Sequence, residues 1–371
     1  MPVIARYAFI TLTPAMLIAV GATLWPGAGL LALLWLTLIA AAMDRLLDAP
    51  VANDGDHAPW SDRLALTLGG VHLVLVPLVL LTLDDPDRSA AQKIVLFLAL
   101  ASFAGQVSHP NAHELIHRKS ALLRGIGAAV YTSVGFGHHV SAHRLVHHAH
   151  LGTPDDPNTP RPGESFWTYL PRAWRGSFAA GLICEFAKLE RRGRPANDPR
   201  NPYAIWIGGA AVSLALATGF VGAIGTLGWV VLVLLFGGQV LMSDYIQHYG
   251  LQRLTLPNGR VEPVAAHHSW NAPQGFSSYL MLNAPAHSEH HMHPDRPYDR
   301  LDPQADVPTL PHSMPVMAML ALVPSAWRRV MDRRAREVMN RAAARMAAPR
   351  RPLTQPQIAL AARAEGNRVT H

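Results

Sequence analysis

Residues 94–118 read IVLFLALASFAGQVSHPNAHELIHR, an apolar run that ends in a cluster of ionisable side chains. A helix needs about 20 mostly apolar residues to cross the hydrocarbon core of a membrane. Residues 94–116 meet this requirement, and His113, Glu114 and His117 lie at the end of the run. This stretch therefore predicts a membrane-spanning helix that carries histidines at one end.

Other parts of the chain have the same apolar character. Half of the residues are hydrophobic and only 15% are charged, whereas a soluble domain averages about 25% charged residues. Five further stretches are long and apolar enough to cross a membrane, namely residues 7–24, 27–43, 64–83, 204–225 and 228–247. Very short links join the first pair and the last pair, which predicts two helical hairpins. We therefore expect an all-α integral membrane protein with six transmembrane helices.

The basic residues predict how these helices are oriented. The chain has a formal charge of +7, and in this topology 30 of its 32 Lys and Arg residues fall on one side, with only Arg88 and Lys93 on the other. Cytoplasmic segments retain positive charge, so we expect a multi-pass protein of the inner membrane with both termini in the cytoplasm. Because only Arg6 precedes the first stretch and no clear cleavage site follows it, we interpret that stretch as a retained anchor. Basic residues that border membrane spans without interleaved aromatics exclude nucleic acid as a partner.

Histidine is abundant in this chain and cysteine is almost absent. The sequence has 20 histidines, 16 of them within residues 109–293, and one cysteine, Cys184. A single cysteine excludes an internal disulfide, a cysteine-ligated zinc site and an iron–sulfur cluster, since each needs at least two. Any metal would therefore be bound by imidazole.

The histidines recur at spacings typical of metal ligands. The first cluster is an i, i+4 pair on one helix face, the second is HRLVHH, the third is a single histidine at the end of the last span, and the fourth is HSEHH. The nine candidates are His113, His117, His143, His147, His148, His248, His287, His290 and His291. Nine imidazoles exceed what one ion can use, so the count implies two ions. Imidazole binds zinc, copper, iron and nickel alike, so the spacing of the histidines does not identify the metal.

Two other classes of metalloprotein share part of this pattern. HELIH satisfies HExxH, the motif of a zinc protease whose glutamate is the general base. Such an intramembrane protease would use these two histidines and one further ligand, which leaves six of the nine histidines without a role as ligands. A metal transporter places ionisable ligands along a pathway within its spans, whereas these histidines gather at helix ends and in loops.

Five motifs resemble those of one family. HELIHR, HRLVHH, DYIQHYGL, HHSWN at residues 267–271 and HSEHHMHPDRPYDRL are similar to the motifs of the integral-membrane non-haem di-iron alkane 1-monooxygenases. The xylene and p-cymene methyl monooxygenases are related to these enzymes, and membrane fatty-acid desaturases share the three histidine boxes. The likeness covers residues from about 90 to 330.

The resemblance implies both a cofactor and a reaction. It implies two non-haem iron ions in a cytoplasmic His-rich cap, held by the nine histidines, with O2 as co-substrate and no catalytic residue beyond the metal centre. The expected reaction is hydroxylation of the terminal methyl group of an alkane to a primary alcohol. Side-chain acids and bases cannot supply an oxidant strong enough for an unactivated methyl group. The apolar substrate would enter from the surrounding membrane lipid.

Electrons must come from another protein. Cys184 cannot carry them, and the chain has no GxGxxG turn for a flavin or nicotinamide. The resemblance implies rubredoxin, reduced by rubredoxin reductase, as the donor. A basic cytoplasmic face would attract such an acidic partner and speed its encounter.

Carboxylates near the histidines are expected to orient the ligand N–H groups and to offset the charge of the ions. The candidates for this supporting role are Glu114, Asp155, Asp156, Asp244 and Glu289, together with His268 of the HHSWN motif. The same pattern assigns residues 1–330 to a membrane-bound hydroxylase domain. Residues 331–371 are then a basic cytoplasmic tail.

At four positions the chain departs from the alkane hydroxylase pattern. The second box has Ala142 and Val146 where those enzymes usually have Glu and Gly, and the HYGL segment has Asp244 and Gln247 where they have Asn and Glu. Ala142 and Gln247 are reminiscent of the xylene branch. An aromatic methyl hydroxylase is therefore the alternative substrate class, followed by a fatty-acid desaturase and the zinc protease.

Overall fold

The computed structural model describes residues 2–46, 58–272, 275–301 and 306–347. Within these ranges the backbone is almost entirely helical or in loops. Its only strand-like pairings are two isolated bridges, between Thr255 and Val261 and between Asn271 and Thr309. The all-α fold predicted from the sequence is confirmed.

The helices follow one another closely along the chain. The first eight are α1 (Val3–Thr23), α2 (Ala28–Leu46), α3 (Ala58–Leu81), α4 (Ala90–His117), α5 (Ala121–Ser133), α6 (139–150), α7 (Phe166–Glu190) and α8 (Pro202–His248). Four more complete the described chain: α9 (Gly275–Leu280), α10 (His287–Met292), α11 (Met314–Ala321) and α12 (Pro324–Ala347). Three of the helices, α2, α4 and α6, contain a wider π-helical turn.

Five helices are long and apolar enough to cross a membrane: α1, α2, α3, α4 and α8. The first four predicted stretches overlap α1 to α4, and the last two both fall in α8, which has 47 residues. The chain is therefore a multi-pass membrane protein. Its orientation, with cytoplasmic termini, stays a prediction.

Helix α8 is broken at Gly222, which has φ 68° and ψ −150°. The hydroxyl oxygens of Thr218 and Thr226 lie 2.8 Å apart, although residues eight apart in a straight helix are separated by about 12 Å. The chain therefore folds back on itself at Gly222, four residues before the predicted link at 226–227. The two arms, 202–221 and 223–248, correspond to the fifth and sixth predicted stretches, and six membrane crossings stay a prediction.

Replacing Gly222 by Ala should lower the free energy of unfolding by about 1–3 kcal/mol, because a Cβ is strained at this backbone conformation. A Cβ at Gly222 would have no atom within 4 Å, so strain rather than a clash sets the effect. The control is Gly219→Ala, three residues earlier, where a Cβ also meets open space but φ is not positive. There the free energy of unfolding should stay level or rise. Denaturation of the purified protein in detergent measures both, and equal effects would contradict the prediction.

The last helix packs on the turn that follows α8. Tyr249, directly after α8, donates its hydroxyl to Asp332 of α12 at 2.7 Å. The buried face of α12 consists of Trp327, Met331, Ala335, Val338 and Ala342. The predicted boundary between residues 1–330 and 331–371 falls inside α12, and residues 348–371 lie outside the described residues. The domain division stays a prediction.

Candidate metal centre

The structure brings all nine predicted histidines together in two groups. The five-histidine group consists of His113, His117, His143, His148 and His290, and the four-histidine group consists of His147, His248, His287 and His291. Within each group the candidate ligand atoms lie within 4.8 Å of one another. The two groups adjoin, because the ring centroids of His148 and His291 are 4.7 Å apart.

Helix geometry decides which histidine joins which group. His113 and His117 of α4 stand at i and i+4 and enter the same group, as the sequence predicts. In α6, residues His143–His147 form a π-helical turn, whose hydrogen bonds run from i to i+5. This turn places the Nε2 atoms of His143 and His148 only 2.9 Å apart. His147 enters the other group.

The distances between nitrogen atoms fit bound cations. His143 Nε2 lies 2.8 Å from His113 Nε2 and 2.9 Å from His148 Nε2. In the other group, His287 Nε2 lies 3.0 Å from both His248 Nε2 and His291 Nε2. Two nitrogens bound at right angles to one ion at about 2.1 Å are themselves about 3.0 Å apart. One proton cannot satisfy three converging nitrogens, whereas a cation can.

Buried atoms without hydrogen bonds support the same fit. The Nε2 atoms of His117 and His147 are buried and have no hydrogen-bond partner among the described residues. A buried polar atom left without a partner in a native fold calls for an explanation, and an ion is one. Each of these atoms belongs to one of the two groups.

Burial keeps these imidazoles in the form that binds metal. It lowers the pKa of His143, His148 and His290 well below the usual value, and neighbouring imidazoles lower it further. The same causes lower the pKa of His287 and His291. Neutral imidazole is the metal-binding form of histidine, so the site needs little proton release to bind an ion.

Of the predicted supporting carboxylates, Asp156 contacts a histidine of the centre directly. Its Oδ2 lies 2.9 Å from His147 Nδ1, and both side chains are buried. Burial lowers the pKa of His147, but the Asp156 carboxylate outweighs it and the pKa is raised. A hydrogen bond from Nδ1–H to a carboxylate leaves Nε2 free for a metal.

The other candidate carboxylates are placed differently. Asp244 is buried and accepts a hydrogen bond from Asn158 at 2.8 Å, and the backbone N–H of Asn158 in turn donates to Asp156. Glu289 pairs with Arg296. Asp155 is exposed.

Glu114 is held by two partners. Its Oε1 lies 3.0 Å from the Arg118 guanidinium and accepts a hydrogen bond from the Tyr298 N–H at 3.1 Å. The general base of an HExxH protease must be free to take a proton from metal-bound water. The two partners of Glu114 argue against that role.

His268 supports the four-histidine group through its backbone. His248 Nδ1 donates to the carbonyl oxygen of His268 at 3.1 Å. The ring of His268 is itself fixed, because its Nδ1 accepts from the Ala265 N–H and its Nε2 donates to Glu262 at 2.9 Å. Glu262 was not among the predicted residues. It lies outside the histidine motifs, and only the fold brings its carboxylate into contact with His268.

Glu262→Gln should destabilise this support. The Glu262 carboxylate accepts hydrogen bonds from His268 and from the Leu254 N–H and is 7% exposed. Loss of the charged acceptor should cost about 1–3 kcal/mol of unfolding free energy, which thermal denaturation measures. The control is Glu190→Gln, an exposed position at the end of α7. An unchanged midpoint in the Glu262 variant would contradict this account.

Comparison with known proteins supports the family resemblance that the motifs indicate. A family model described as fatty acid desaturase matches residues 91–320, more than half of the chain. The chain belongs to the fatty acid desaturase family. The matched segment contains both histidine groups.

Individual relatives carry more specific names. The chain is 34% identical to alkane 1-monooxygenase 1 of Pseudomonas aeruginosa over 64% of this chain and 63% of the relative. It is 36% identical to alkane 1-monooxygenase 1 of Alcanivorax borkumensis over 65% and 60% of the two chains. A xylene/toluene monooxygenase hydroxylase component of Pseudomonas putida is 31% identical over 62% and 61%. The resemblance that the motifs indicated is confirmed. The matched part spans less than two thirds of the length of each of these relatives.

Proposed function

We propose that this protein is a membrane-bound di-iron monooxygenase that converts alkanes to primary alcohols. The observation that carries the proposal is the division of nine imidazoles, most of them buried, into two adjoining groups. The names of the relatives support the reaction class. In this proposal all nine histidines are metal ligands and Asp156 orients one of them.

Two iron ions held there would supply, with O2, the oxidising power that a strong C–H bond requires. The balanced reaction takes one alkane, one O2, two electrons and two protons, and gives one alcohol and one water. The chain itself contributes the positioning of the imidazoles and the exclusion of bulk water. Seven of the nine histidines are buried, and so are Asp156, Asp244, Glu262 and His268, which keeps bulk water away from the site.

An apolar cavity beside the centre supports entry of the substrate from the membrane. The cavity has a volume of about 70 Å³ and is lined by His109, Met242, Met281 and Met314, among others. The ring of His109 has its centroid 6.1 Å from that of His113. Methionine side chains are flexible, so this lining can move apart to admit an alkyl chain. We propose that the terminal methyl group of the substrate points from this cavity towards the centre.

The proposed electron donor is rubredoxin, kept reduced by its reductase. The proposed cytoplasmic face, at the inner membrane, carries most of the basic residues of the chain and would attract an acidic donor. The turnover rate with rubredoxin should therefore fall as the salt concentration rises, because salt screens the encounter. Steady-state assays over a salt series measure this. A rate that stays flat from low to high ionic strength would contradict electrostatic docking.

An aromatic methyl hydroxylase is the second candidate. The 31% identity to the xylene/toluene monooxygenase component favours it, as do Ala142 and Gln247. The reaction at the metal centre would be the same, and only the shape of the substrate would differ.

The proposed function is tested in two steps. Metal analysis of the purified protein should find about two iron ions per chain, since nine imidazoles exceed the needs of one ion; one zinc without iron would contradict the proposal. Cells that express the protein with a rubredoxin and its reductase are then fed octane, p-xylene and an acyl lipid. Mass spectrometry should find 1-octanol. Oxidation of p-xylene alone would favour the second candidate, and an internal alcohol of octane would contradict attack at the chain end.

A further inference from the structure

Three cavities that are separate from the metal centre follow one another along α5. Their volumes are about 340, 440 and 350 Å³. The first and second share Gly125, Ala128 and Trp206 as lining residues, and the second and third share Ser133 and Ser213. We call these three adjoining cavities the α5 groove. It shares no lining residue with the cavity beside His109.

One end of the α5 groove is positively charged. Arg124, Arg144 and Lys188 line the first cavity, and Glu185 is the carboxylate among its lining residues. Glu185 is already engaged, because Lys188 Nζ lies 2.8 Å from its Oε2 and Ser141 donates to its Oε1 at 2.8 Å. Arg124 and Arg144 therefore leave two positive charges without a matching carboxylate in the lining.

This charged end lies where two apolar spans end. Ile116, next to the end of α4, and Pro202, at the start of α8, both line the first cavity. The indole N–H of Trp206 donates to Ser141 Oγ at 3.3 Å in the same region. Tryptophan and arginine at the end of a span are typical of the boundary between lipid tails and headgroups. The charged end is thus at headgroup level, on the side of the two histidine groups.

The rest of the α5 groove is apolar and long. The second and third cavities follow the first arm of α8 from Ile205 to Val221, with Leu73, Val76 and Leu80 of α3 on the opposite wall. The 16 helical steps from Ile205 to Val221 cover about 24 Å, which is the length scale of an acyl chain. The groove is therefore charged at one end and apolar along its length.

We propose that the α5 groove binds one anionic phospholipid of the surrounding membrane. The headgroup phosphate pairs with Arg124 and Arg144, and one acyl chain lies along the apolar part. Basic pockets between transmembrane helices on the cytoplasmic side bind anionic headgroups in this way. An alkane carries no negative charge to offset either arginine, so it does not fit this groove. The site is independent of the chemistry proposed for the metal centre.

The test is the lipid retained by the purified full-length protein. The protein is equilibrated with mixed micelles that contain equal amounts of phosphatidylglycerol and phosphatidylcholine with identical acyl chains, and bound lipid is counted by native mass spectrometry. Wild type should retain phosphatidylglycerol in preference to phosphatidylcholine, by about fivefold for each unmatched arginine. Equal retention of the two lipids would overturn the proposal.

Two variants distinguish the contribution of the positive charge to lipid binding from that of the apolar space. Arg144 makes no hydrogen bond among the described residues, so Arg144→Gln should fold and should lose about fivefold of the preference. In Gly125→Leu the new side chain enters open space between the first two cavities and should reduce retention without a change in charge. Arg260→Gln, on an exposed turn away from the groove, is the control and should behave like wild type.

Three results would contradict the proposal. The first is a full preference for phosphatidylglycerol in Arg144→Gln, and the second is unchanged retention in Gly125→Leu. The third is displacement of the lipid by glycerol 3-phosphate at equal concentration, since that would mean that the apolar part of the groove contributes nothing. Monodisperse elution and unchanged metal content show in each case that the variant is folded.

Discussion

His287→Ala should reduce the metal content from about two ions per chain to about one and abolish hydroxylation. His287 Nε2 lies at the middle of the four-histidine group, 3.0 Å from both His248 Nε2 and His291 Nε2. Its removal leaves three imidazoles around that position. The five-histidine group loses no member, so its ion should remain bound.

Elemental analysis of the purified variant, alongside an assay of alcohol formation, measures both effects. The control is His293→Ala, since His293 is 44% exposed and belongs to neither group. It should keep both ions and the activity. Substantial turnover in the His287 variant would contradict the ligand assignment. Loss of both ions would contradict the division into two separately filled groups.

Asp156→Asn should weaken metal binding by about 10- to 100-fold, the usual effect of removing a partner that orients a histidine ligand. Asp156 accepts three hydrogen bonds, from His147 Nδ1 at 2.9 Å, Thr159 Oγ1 at 2.7 Å and Asn158 N at 3.0 Å. All three partners donate, and an amide nitrogen cannot accept. His147 and Thr159 both donate to Oδ2 and Asn158 donates to Oδ1, so at least one donor loses its acceptor in the variant. His147 also loses the negative charge beside it.

Competition with a chelator, followed by metal analysis, measures this affinity. The chain offers a matched control in Asp155→Asn, because Asp155 is adjacent in sequence but exposed. Equal metal retention in the two variants would show that Asp156 has no part in holding His147. A weaker affinity in the Asp155 variant alone would contradict the geometry.

The sequence was informative about the identity of the candidate ligands. Repeated spacings such as those of His113 with His117 and of His287 with His291 mark histidines that share a helix face. The first pair lies in the five-histidine group and the second pair in the four-histidine group. The apolar runs predicted the spans for a similar reason, because the hydrocarbon core sets the length of a helix directly. Both signals are local in the chain.

The residues that support the ligands were harder to predict. All five predicted carboxylates lie near histidines in the sequence: Glu114, Asp155, Asp156, Asp244 and Glu289. In the described structure, Asp156 is the one whose carboxylate contacts an imidazole of the centre. Glu262 contacts His268 from six positions earlier. Which way a carboxylate points depends on loops and on competing partners such as Arg118 and Arg296, and sequence spacing does not encode these.

The sequence by itself determined a helical membrane protein with nine candidate histidine ligands, because both features follow from the period of the helix and the thickness of the membrane. Only the tertiary structure decided how those ligands divide. A π-helical turn places His143 with His148 and sends His147 to the other group, although an ideal α-helix would pair His143 with His147. The structure likewise places the turn of the last hairpin at Gly222, four residues before the predicted link. Both outcomes depend on local backbone geometry, a π-helical turn and a positive φ, which the spacing of residues in the sequence does not encode.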